Sequence, residues 1–399
     1  MKVRELWFTE INMSIIEKDK KYVANTYARF PVEIVSGEGS YLYSPDGKKY
    51  IDMGSGIGVT AFGFNDEQWK SAVIGQINKV QHTSNLYYTE PCARLAELLC
   101  EKSGMKKVFF ANSGAEANEC AIKVARKYAA DKKGNEYNTI VTLKNSFHGR
   151  TLTTLAATGQ DKFHELFQPL TSGFVHATAN DIDSVKAAVR ENKVCAIMLE
   201  CVQGEGGVIA LEKEFVLGVK KICDEQDILL VIDEVQTGNG RTGKLYAYMN
   251  YGVEPDVVTT AKGLGGGLPI GACLMNAKTE SVLGFGDHGS TYGGNPVCAA
   301  GAVSVIERLT DEFLADVNKK SEYIFNALNG KKGIESVSGM GLMVGIKTTR
   351  PAKDVVSECI EKGVLCLTAK DKVRLLPALN IPMEVLKEAV EVIIEAAKK

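Results

Sequence analysis

The sequence has almost no excess of charge of either sign. Lys and Arg total 47 against 49 for Asp and Glu, which leaves a net charge of -2. A chain without a basic excess has no general attraction for nucleic acid or for an anionic membrane, so we expect neither as a partner. Any anion that the protein binds must therefore be held at a local site.

Several cysteine and apolar patterns are also missing. The ten cysteines contain no C-x-x-C pair and no Cys/His cluster with zinc spacing, which predicts reduced thiols and no metal site. No stretch approaches the length of a membrane span, and the opening segment MKVRELWFTEINMSIIEKDKKY lacks the apolar run of a secretory signal. These absences predict a cytoplasmic protein.

The apolar segments that are present follow an alternating order. KKVFFANS, NTIVTLK, KVCAIMLE, DILLVIDE and DVVTTA are each separated by helix-patterned stretches, which predicts an α/β core with a largely parallel sheet. Before them, YLYSPDGKKYIDM reads as two antiparallel strands joined by a tight turn. After about residue 300 the pattern changes to a smaller α+β unit. A chain of 399 residues is long enough for such a division.

Two of these strands end at residues that suit a reactive site. Asp233 ends the strand DILLVID, at the strand edge where α/β sheets bind ligands, although an aspartate there could also simply cap the next element. Lys262 follows DVVTTA and precedes a glycine-rich turn, where loss of solvent would lower its pKa as an imine-forming amine requires. An isolated lysine is more often exposed. The glycines do not fit a dinucleotide loop, because Leu268 occupies the last position of G-x-G-x-x-G.

Two further strand ends suit a planar, phosphorylated ligand. In ANSGAEANECAIKVARKYA, the turn Ser113-Gly114 leads into a helix whose N-terminus could bind a phosphate, although capping alone would explain the serine. In NSFHGRT, Phe147 could stack on a planar ring and Arg150 could pair with a carboxylate. His148 could act as a base, but a structural role is the more frequent one for a lone histidine.

Taken together, these segments resemble the class III aminotransferases, a family of fold type I enzymes that use pyridoxal 5'-phosphate (PLP). The shared motifs, in order, are SGAEAN, FHGRT, ECVQGEGG, DEVQTGNGRTG, AKGLGGG, STYGGNP and VRLLP, and the match runs from about Tyr27 to Arg374. The resemblance implies a large PLP-binding domain with a mostly parallel sheet, here 61–300. It also implies a small α+β domain built from both chain ends, here 1–60 and 301–399.

The resemblance also implies roles for individual residues. Lys262 would bind PLP covalently and act as general base, and Asp233 would accept the pyridinium N–H of the cofactor. Phe147 would stack on the ring, and Gln236 would contact its oxygen. The other cofactor contacts implied are Ser113, Gly114, Ala115, Val235 and, reaching the phosphate across a homodimer interface, Thr291 of the partner subunit.

Substrate contacts follow from the same resemblance. Arg150 would bind the distal carboxylate in both half-reactions, while Arg374 would bind the α-carboxylate of glutamate and pair with Glu205 when the donor is bound. Tyr27 and Ser290 would belong to the substrate pocket. These residues favour a donor that reacts at a terminal amine, with 2-oxoglutarate as acceptor.

The segments HTSNLYYTEP and NTYARFPV look most like family members that use N2-acetyl-L-ornithine in arginine biosynthesis, giving N-acetylglutamate 5-semialdehyde and glutamate. Ornithine, succinylornithine, 4-aminobutyrate and putrescine stay open as donors, because a small acyl difference leaves little trace in a sequence. An aminomutase or a decarboxylase would share the fold and the Lys262–Asp233 pair. A non-catalytic binding protein is the third alternative, and it predicts loss of one of these two residues, both of which are present.

Overall fold

The computed structural model describes residues 13–398. The first twelve residues of the predicted segment 1–60, and with them part of the opening segment searched for a signal, lie outside this range. The helices are α1 (Ile15–Tyr22), α2 (Ser55–Gly58), α3 (Glu67–Ile77), α4 (Glu90–Ser103), α5 (Gly114–Lys133), α6 (Leu152–Ala157), α7 (Ile182–Glu191), α8 (Lys213–Gln226), α9 (Pro296–Arg308), α10 (Asp311–Leu328), α11 (Ala352–Glu361) and α12 (Met383–Lys398).

The strands form three larger sheets and one short hairpin. In chain order they are β1 (Ser36–Glu38), β2 (Tyr41–Tyr43), β3 (Lys49–Asp52), β4 (Lys107–Ala111), β5 (Thr139–Leu143), β6 (Phe174–Ala177), β7 (Val194–Leu199), β8 (Val202–Gln203), β9 (Ile209–Ala210), β10 (Leu229–Asp233), β11 (Val257–Thr260), β12 (Gly271–Met275), β13 (Ile334–Met340), β14 (Met343–Thr348), β15 (Val364–Leu365), β16 (Leu367–Ala369) and β17 (Lys372–Leu375).

The central sheet has seven strands in the order β4-β12-β11-β10-β7-β5-β6. Its parallel pairs are β11 with β10, β10 with β7, β7 with β5, and β5 with β6. Every residue of β7, β10 and β11 is buried, as expected for strands covered by helices on both faces. The predicted α/β class with a mostly parallel sheet is confirmed.

Two strands of this sheet, β6 and β12, are not among the predicted strand segments. β12 runs antiparallel to both β11 and β4. Only residues 261–270 separate β11 from β12, and they contain no α-helix. A parallel crossover needs a dozen or more residues, so the chain returns antiparallel here.

The two chain ends meet in a smaller sheet. β2 and β3 form the predicted antiparallel hairpin, and β3 also pairs in parallel with β15 from the C-terminal part of the chain. The third sheet, β13-β14-β17-β16, is antiparallel throughout. A small α+β unit built from both ends is therefore present, while the exact boundaries at 60 and 300 stay a prediction.

Helix α5 packs against the large sheet, and this packing fixes the position of its N-terminus. It begins after Ser113, whose hydroxyl accepts the N–H of Glu116 as the N-cap. Its buried face includes the positions that periodicity predicts, namely Ala117, Ala121, Val124, Ala125 and Tyr128. Because this face packs against β11 and β12, the N-terminus of α5 is held at the edge where β4 ends.

Two other expectations concern absences. All ten cysteine thiols are free, and eight of them are buried. Among residues 13–398, no helix combines the length and the apolar character that crossing a membrane requires.

Candidate active site

A cavity of about 450 Å³ opens at the carboxyl ends of β4, β5, β10 and β11. This is the edge of an α/β sheet at which ligands bind, and the volume suits a small cofactor. Nine residues that the sequence predicts for the site line this one cavity: Ser113, Gly114, Ala115, Phe147, Arg150, Asp233, Val235, Gln236 and Lys262.

Lys262 lies two residues beyond β11, in a single 3-10 turn. Its φ of 46° is left-handed, an uncommon conformation for a residue with a side chain. Loss of solvent lowers the pKa of its amine, and the charges of Glu205 and Asp233 oppose this decrease. The amine therefore gives up its proton more readily than an exposed lysine does, as a nucleophile or base must.

Asp233 ends β10 and is 3% exposed. One carboxylate oxygen accepts from Nδ1 of His148 at 2.8 Å and from Nδ2 of Asn118 at 2.8 Å. The other oxygen accepts from the N–H of Val235 at 3.0 Å. Three donors around a buried carboxylate fix its orientation.

His148 and Glu200 are buried beside Asp233, and both also line the cavity. Burial by itself lowers the pKa of His148, but the hydrogen bond and the charge of Asp233, together with Glu200, raise it overall. Burial raises the pKa of Glu200 to about 7, although the charge of His148 opposes this. Glu200 also accepts the N–H of Phe147 at 2.9 Å, so the same carboxyl positions the loop that carries Phe147.

The N-terminus of α5 forms one end of the cavity. The N–H groups of Gly114 and Ala115 are the first of the helix, so no earlier carbonyl of α5 can accept them. A Cβ on Gly114 would lie 2.6 Å from Cγ1 of Val235, and one on Gly149 would lie 2.8 Å from Cβ of Ala115. Glycine at these positions lets the backbone line the cavity directly, and the helix dipole favours an anion there.

Phe147 and Arg150 line the cavity, and the ring of Phe163 lies next to both. The rings of Phe147 and Phe163 meet edge to face at a centroid distance of 6.2 Å. The guanidinium of Arg150 lies 4.2 Å from the ring centroid of Phe163 and 5.4 Å from that of Phe147. Within residues 13–398 no carboxylate pairs with Arg150, so its N–H groups are available to a ligand carboxylate.

Glu205 and Arg374 form an ion pair next to Gln236, a cavity residue. Glu205 lies at the tip of the hairpin between β8 and β9, and Arg374 lies in β17 of the third sheet. Nη1 of Arg374 donates to Oε1 of Glu205 at 2.5 Å and to Oε1 of Gln236 at 3.4 Å. Burial acts to raise the pKa of Glu205, but the charge and hydrogen bond of Arg374 lower it overall.

Besides Glu205 and Arg374, three predicted residues do not line the cavity. Tyr27 is 74% exposed, and its ring lies beside the guanidinium of Arg29 at 5.3 Å. Ser290 accepts from Nδ2 of Asn112 at 3.3 Å, and Asn112 does line the cavity. Thr291 is exposed. A single chain therefore does not assemble these three residues with the rest of the site.

Sequence reasoning missed the residues that support Asp233. Asn118 lies one turn into α5, where its amide donates to Asp233 and accepts from the hydroxyl of Thr259 at 2.6 Å. A polar residue on the otherwise apolar face of α5 was the signal that could have identified it. Glu200 has a similar signal, because it directly follows the fully apolar strand β7. The sequence identified His148 and left its role open, and it contacts Asp233 directly.

The cavity fits PLP in the kinds of groups it offers. It holds a lysine with a lowered pKa, a fixed carboxylate, a helix N-terminus without side chains in the way, and an aromatic ring. These groups suit an aldehyde, a pyridinium nitrogen, a phosphate and a planar ring, respectively.

Comparison with known proteins agrees with this fit. The family model for class-III aminotransferases matches residues 22–397. An acetylornithine aminotransferase of Haemophilus ducreyi is 52% identical over 95% of this chain and 97% of its own length. A succinylornithine transaminase of Salmonella paratyphi A is 45% identical over 92% of both chains.

Solved structures are similar over almost the whole chain. The N-acetylornithine aminotransferase of Stenotrophomonas maltophilia K279a has a TM-score of 0.82 and 34% identity, covering 96% of this chain and 98% of its own. The ornithine aminotransferase of Toxoplasma gondii ME49 has a TM-score of 0.92 and 29% identity, covering 96% and 94%. This chain belongs to the class-III aminotransferases, a family of PLP-dependent enzymes.

Proposed function

We propose that the enzyme transfers the terminal amino group of N2-acetyl-L-ornithine to 2-oxoglutarate. The products are N-acetylglutamate 5-semialdehyde and L-glutamate, and the reaction belongs to arginine biosynthesis. The names of the Haemophilus ducreyi and Stenotrophomonas maltophilia relatives support this donor. The Salmonella relative makes succinylornithine the principal alternative.

The Glu205–Arg374 pair is the observation that carries the proposal. A donor that reacts at a terminal amine brings no carboxylate next to the reacting carbon, whereas glutamate does. With the pair closed, the charge of Arg374 is neutralised and the site suits the donor. Opening of the pair frees Arg374 for the α-carboxylate of glutamate, since Glu205 keeps 32% of its side chain exposed and has room to leave.

We assign the chemical step to Lys262 and Asp233. Bound PLP supplies an electron sink that stabilises negative charge at the substrate carbon. Lys262 would anchor the cofactor and would move the substrate proton at its Nζ. Its lowered pKa favours the neutral amine that accepts this proton. Asp233 holds the proton of the pyridinium nitrogen by charge.

The remaining cavity residues hold and orient the cofactor and the substrate. Gly114 and Ala115 donate backbone N–H groups to the phosphate, with Ser113 and Val235 beside them, and Phe147 stacks on the ring. Gln236 contacts the ring oxygen. Arg150 binds the distal carboxylate of both substrates, and its position against two aromatic rings limits its freedom before substrate arrives.

Half-reactions without a keto acid test the donor directly. The purified enzyme is mixed with N-acetylornithine, ornithine, succinylornithine or 4-aminobutyrate, and loss of the absorbance band of the bound cofactor is followed. We expect N-acetylornithine to react at least about tenfold faster than ornithine at limiting concentration, and 2-oxoglutarate to restore the band. Faster reaction of another amine would replace the proposed donor, and absence of recovery would contradict 2-oxoglutarate as acceptor.

We further propose that the enzyme is a homodimer in which Thr291 of the partner subunit contacts the phosphate. Several large apolar side chains around this segment and around the segment 86–88 are exposed: Leu86, Tyr87, Tyr88, Phe285 and Tyr292. An apolar surface of this kind marks a protein interface. Tyr27 and Ser290, which the single chain leaves outside the cavity, are assigned to the substrate pocket of the assembled dimer.

Mixing two inactive variants tests the shared site. Lys262→Ala removes the reactive amine, and Thr291→Glu places a negative charge against the phosphate. If each site combines Lys262 of one subunit with Thr291 of the other, a mixed dimer contains one intact site, and random mixing restores about a quarter of the activity. No restoration after confirmed subunit exchange, or full activity of a monomer in sedimentation, would contradict the proposal.

A cytoplasmic location is proposed as well, supported by ten unpaired thiols.

A further inference from the structure

Gln236 lies between the two members of the ion pair. Its Oε1 accepts from Nη1 of Arg374 at 3.4 Å, and after Arg374 this side chain also contributes to the lowered pKa of Glu205. The residue is 8% exposed and also lines the cofactor cavity. An amide has one acceptor end and one donor end, so a single side chain can satisfy the cation and the anion together.

Gly204 provides the space that this arrangement needs. A Cβ at position 204 would lie 2.1 Å from Oε1 and 2.6 Å from Cδ of Gln236, and 2.7 Å from Cε of Met343. The backbone at Gly204 is outside the left-handed region, so its conformation would accept an alanine. Clearance for Gln236, and not backbone freedom, therefore explains the glycine beside Glu205.

We propose that Gln236 is a positioning residue that clamps the Glu205–Arg374 pair closed, and that Gly204 is the clearance on which this clamp depends. The inference rests on the gate role proposed above for the pair. It adds that the gate is held from the cofactor cavity, by a residue that also contacts the cofactor. Gln236 thereby sets the balance between the donor and the dicarboxylate that the one site must accept.

The clamp predicts opposite effects on the two ligands. Without it, Glu205 leaves Arg374 more easily, so a dicarboxylate that needs Arg374 binds more tightly. The unpaired cation of Arg374 then repels the terminal ammonium of the donor, which binds more weakly. One net hydrogen bond corresponds to roughly a three- to tenfold change in each binding constant.

Gly204→Ala is the main test, because it displaces the amide of Gln236 and leaves the pair itself intact. Binding of glutarate, an unreactive dicarboxylate, to the holoenzyme is measured by calorimetry, and half-saturation by N-acetylornithine is measured in the half-reaction. We expect the glutarate Kd to fall and the donor constant to rise, each roughly three- to tenfold. Gln236→Met, of similar length but without an amide, is expected to change both constants in the same directions.

Two controls separate the clamp from other effects. Met343→Leu, alone and combined with Gly204→Ala, removes the Cε atom that the new methyl group would also meet. The double variant is expected to keep the opposite shifts. Unfolding temperature and the absorbance of the bound cofactor report folding and cofactor retention, so a general disturbance would be recognised as weaker binding of both ligands.

The outcomes distinguish this inference from the function on which it rests. If Gly204→Ala and Gln236→Met shift both ligands in the same direction, or neither, while Arg374→Ala still weakens glutarate, the gate stands and the clamp is overturned. If Arg374→Ala leaves glutarate binding unchanged, the gate itself is wrong. Reversal of the shifts by Met343→Leu would assign the effect to Met343 and would also overturn the clamp.

Discussion

The floor of the cavity, which is Asp233 with its hydrogen-bond donors, and the gate, which is the Glu205–Arg374 pair, are built in different ways. Asp233 is held by three donors, all from the large sheet and the elements that follow its strands. The gate joins Glu205 in a hairpin to Arg374 in a separate sheet. Among the described residues, the buried Nε of Arg374 has no hydrogen-bond partner. The carboxylate of Asp233 is thus held by donors on both oxygens, although Nε2 of its donor His148 is also buried without a partner among the described residues, whereas the gate itself keeps a donor in reserve.

This difference matches the two tasks of the site. A buried unpaired donor costs roughly 1–3 kcal/mol, so a ligand carboxylate that satisfies Nε of Arg374 gains part of this energy on binding. The closed gate is therefore not the most favourable state that its residues can reach. The carboxylate of Asp233 is held on both oxygens in one orientation, which serves both substrates alike. We expect substitutions in the floor to damage both half-reactions and substitutions in the gate to damage one.

Lys262→Ala is expected to have the largest effect. Loss of the base and of the covalent anchor should lower both half-reactions at least about 10³-fold. Lys262→Arg, which keeps the positive charge without a reactive amine, is the matched control and should be equally inactive. Single-turnover rates with each substrate, together with mass spectrometry after borohydride reduction, check this. A variant that keeps a reducible covalent bond to PLP would show that another lysine holds the cofactor.

Asp233→Asn tests the floor without changing its shape. The amide keeps the size of the carboxylate but loses its charge, so both half-reactions should fall by about 10²- to 10³-fold, the range for loss of one preorganised electrostatic partner. Rates with N-acetylornithine and with glutamate are compared in single turnovers. Equal losses would support the comparison, whereas a loss confined to one substrate would mean that Asp233 belongs functionally to the gate.

Arg374→Ala is the corresponding test of the gate. Removal of a charge-assisted contact should raise the KM for glutamate and 2-oxoglutarate by about 10- to 100-fold, while the donor half-reaction changes by less than about threefold. The two half-reactions are measured separately, with Arg350→Ala as a control arginine away from the cavity. Equal damage in both halves would remove the basis for a gate.

The chemistry was more predictable from sequence than the support around it. Lys262, Asp233 and the N-terminus of α5 follow apolar strands, so the parallel-strand rule alone brings them to one edge. Asn118 and Glu200 support that edge through contacts between elements, and β12 reverses direction because of a short connection. Local patterns can mark Asn118 and Glu200 as polar residues in apolar surroundings, but they do not show which side chain or backbone group each one contacts. Tyr27, Ser290 and Thr291 could not be joined to the cavity from one chain, since their proposed place needs a second copy.

Glu200→Gln should have the smallest effect of these substitutions. It tests Glu200 and His148, the buried residues beside Asp233. The pKa of Glu200 is raised from 4.5 to about 7. The folded protein therefore keeps a proton that the unfolded chain has released. A raised pKa contributes stability that is complete below about pH 4.5 and is lost as the pH rises to about 7. His148, whose pKa is also raised, loses its contribution above pH 6.5 in the same direction.

The unfolding temperature of the cofactor-free protein should accordingly decline between pH 4.5 and 7 less steeply in Glu200→Gln than in the unsubstituted chain. The surface variant Glu191→Gln serves as the control and should leave the slope unchanged. Identical slopes for Glu200→Gln and the parent would mean that Glu200 is ionised in the folded state. Glu200 would then add a second negative charge beside Asp233, and His148 would have to be protonated to balance it. The carboxylate of Asp233 would keep its three donors, but the net charge around it would depend on His148 and would change when that residue titrates.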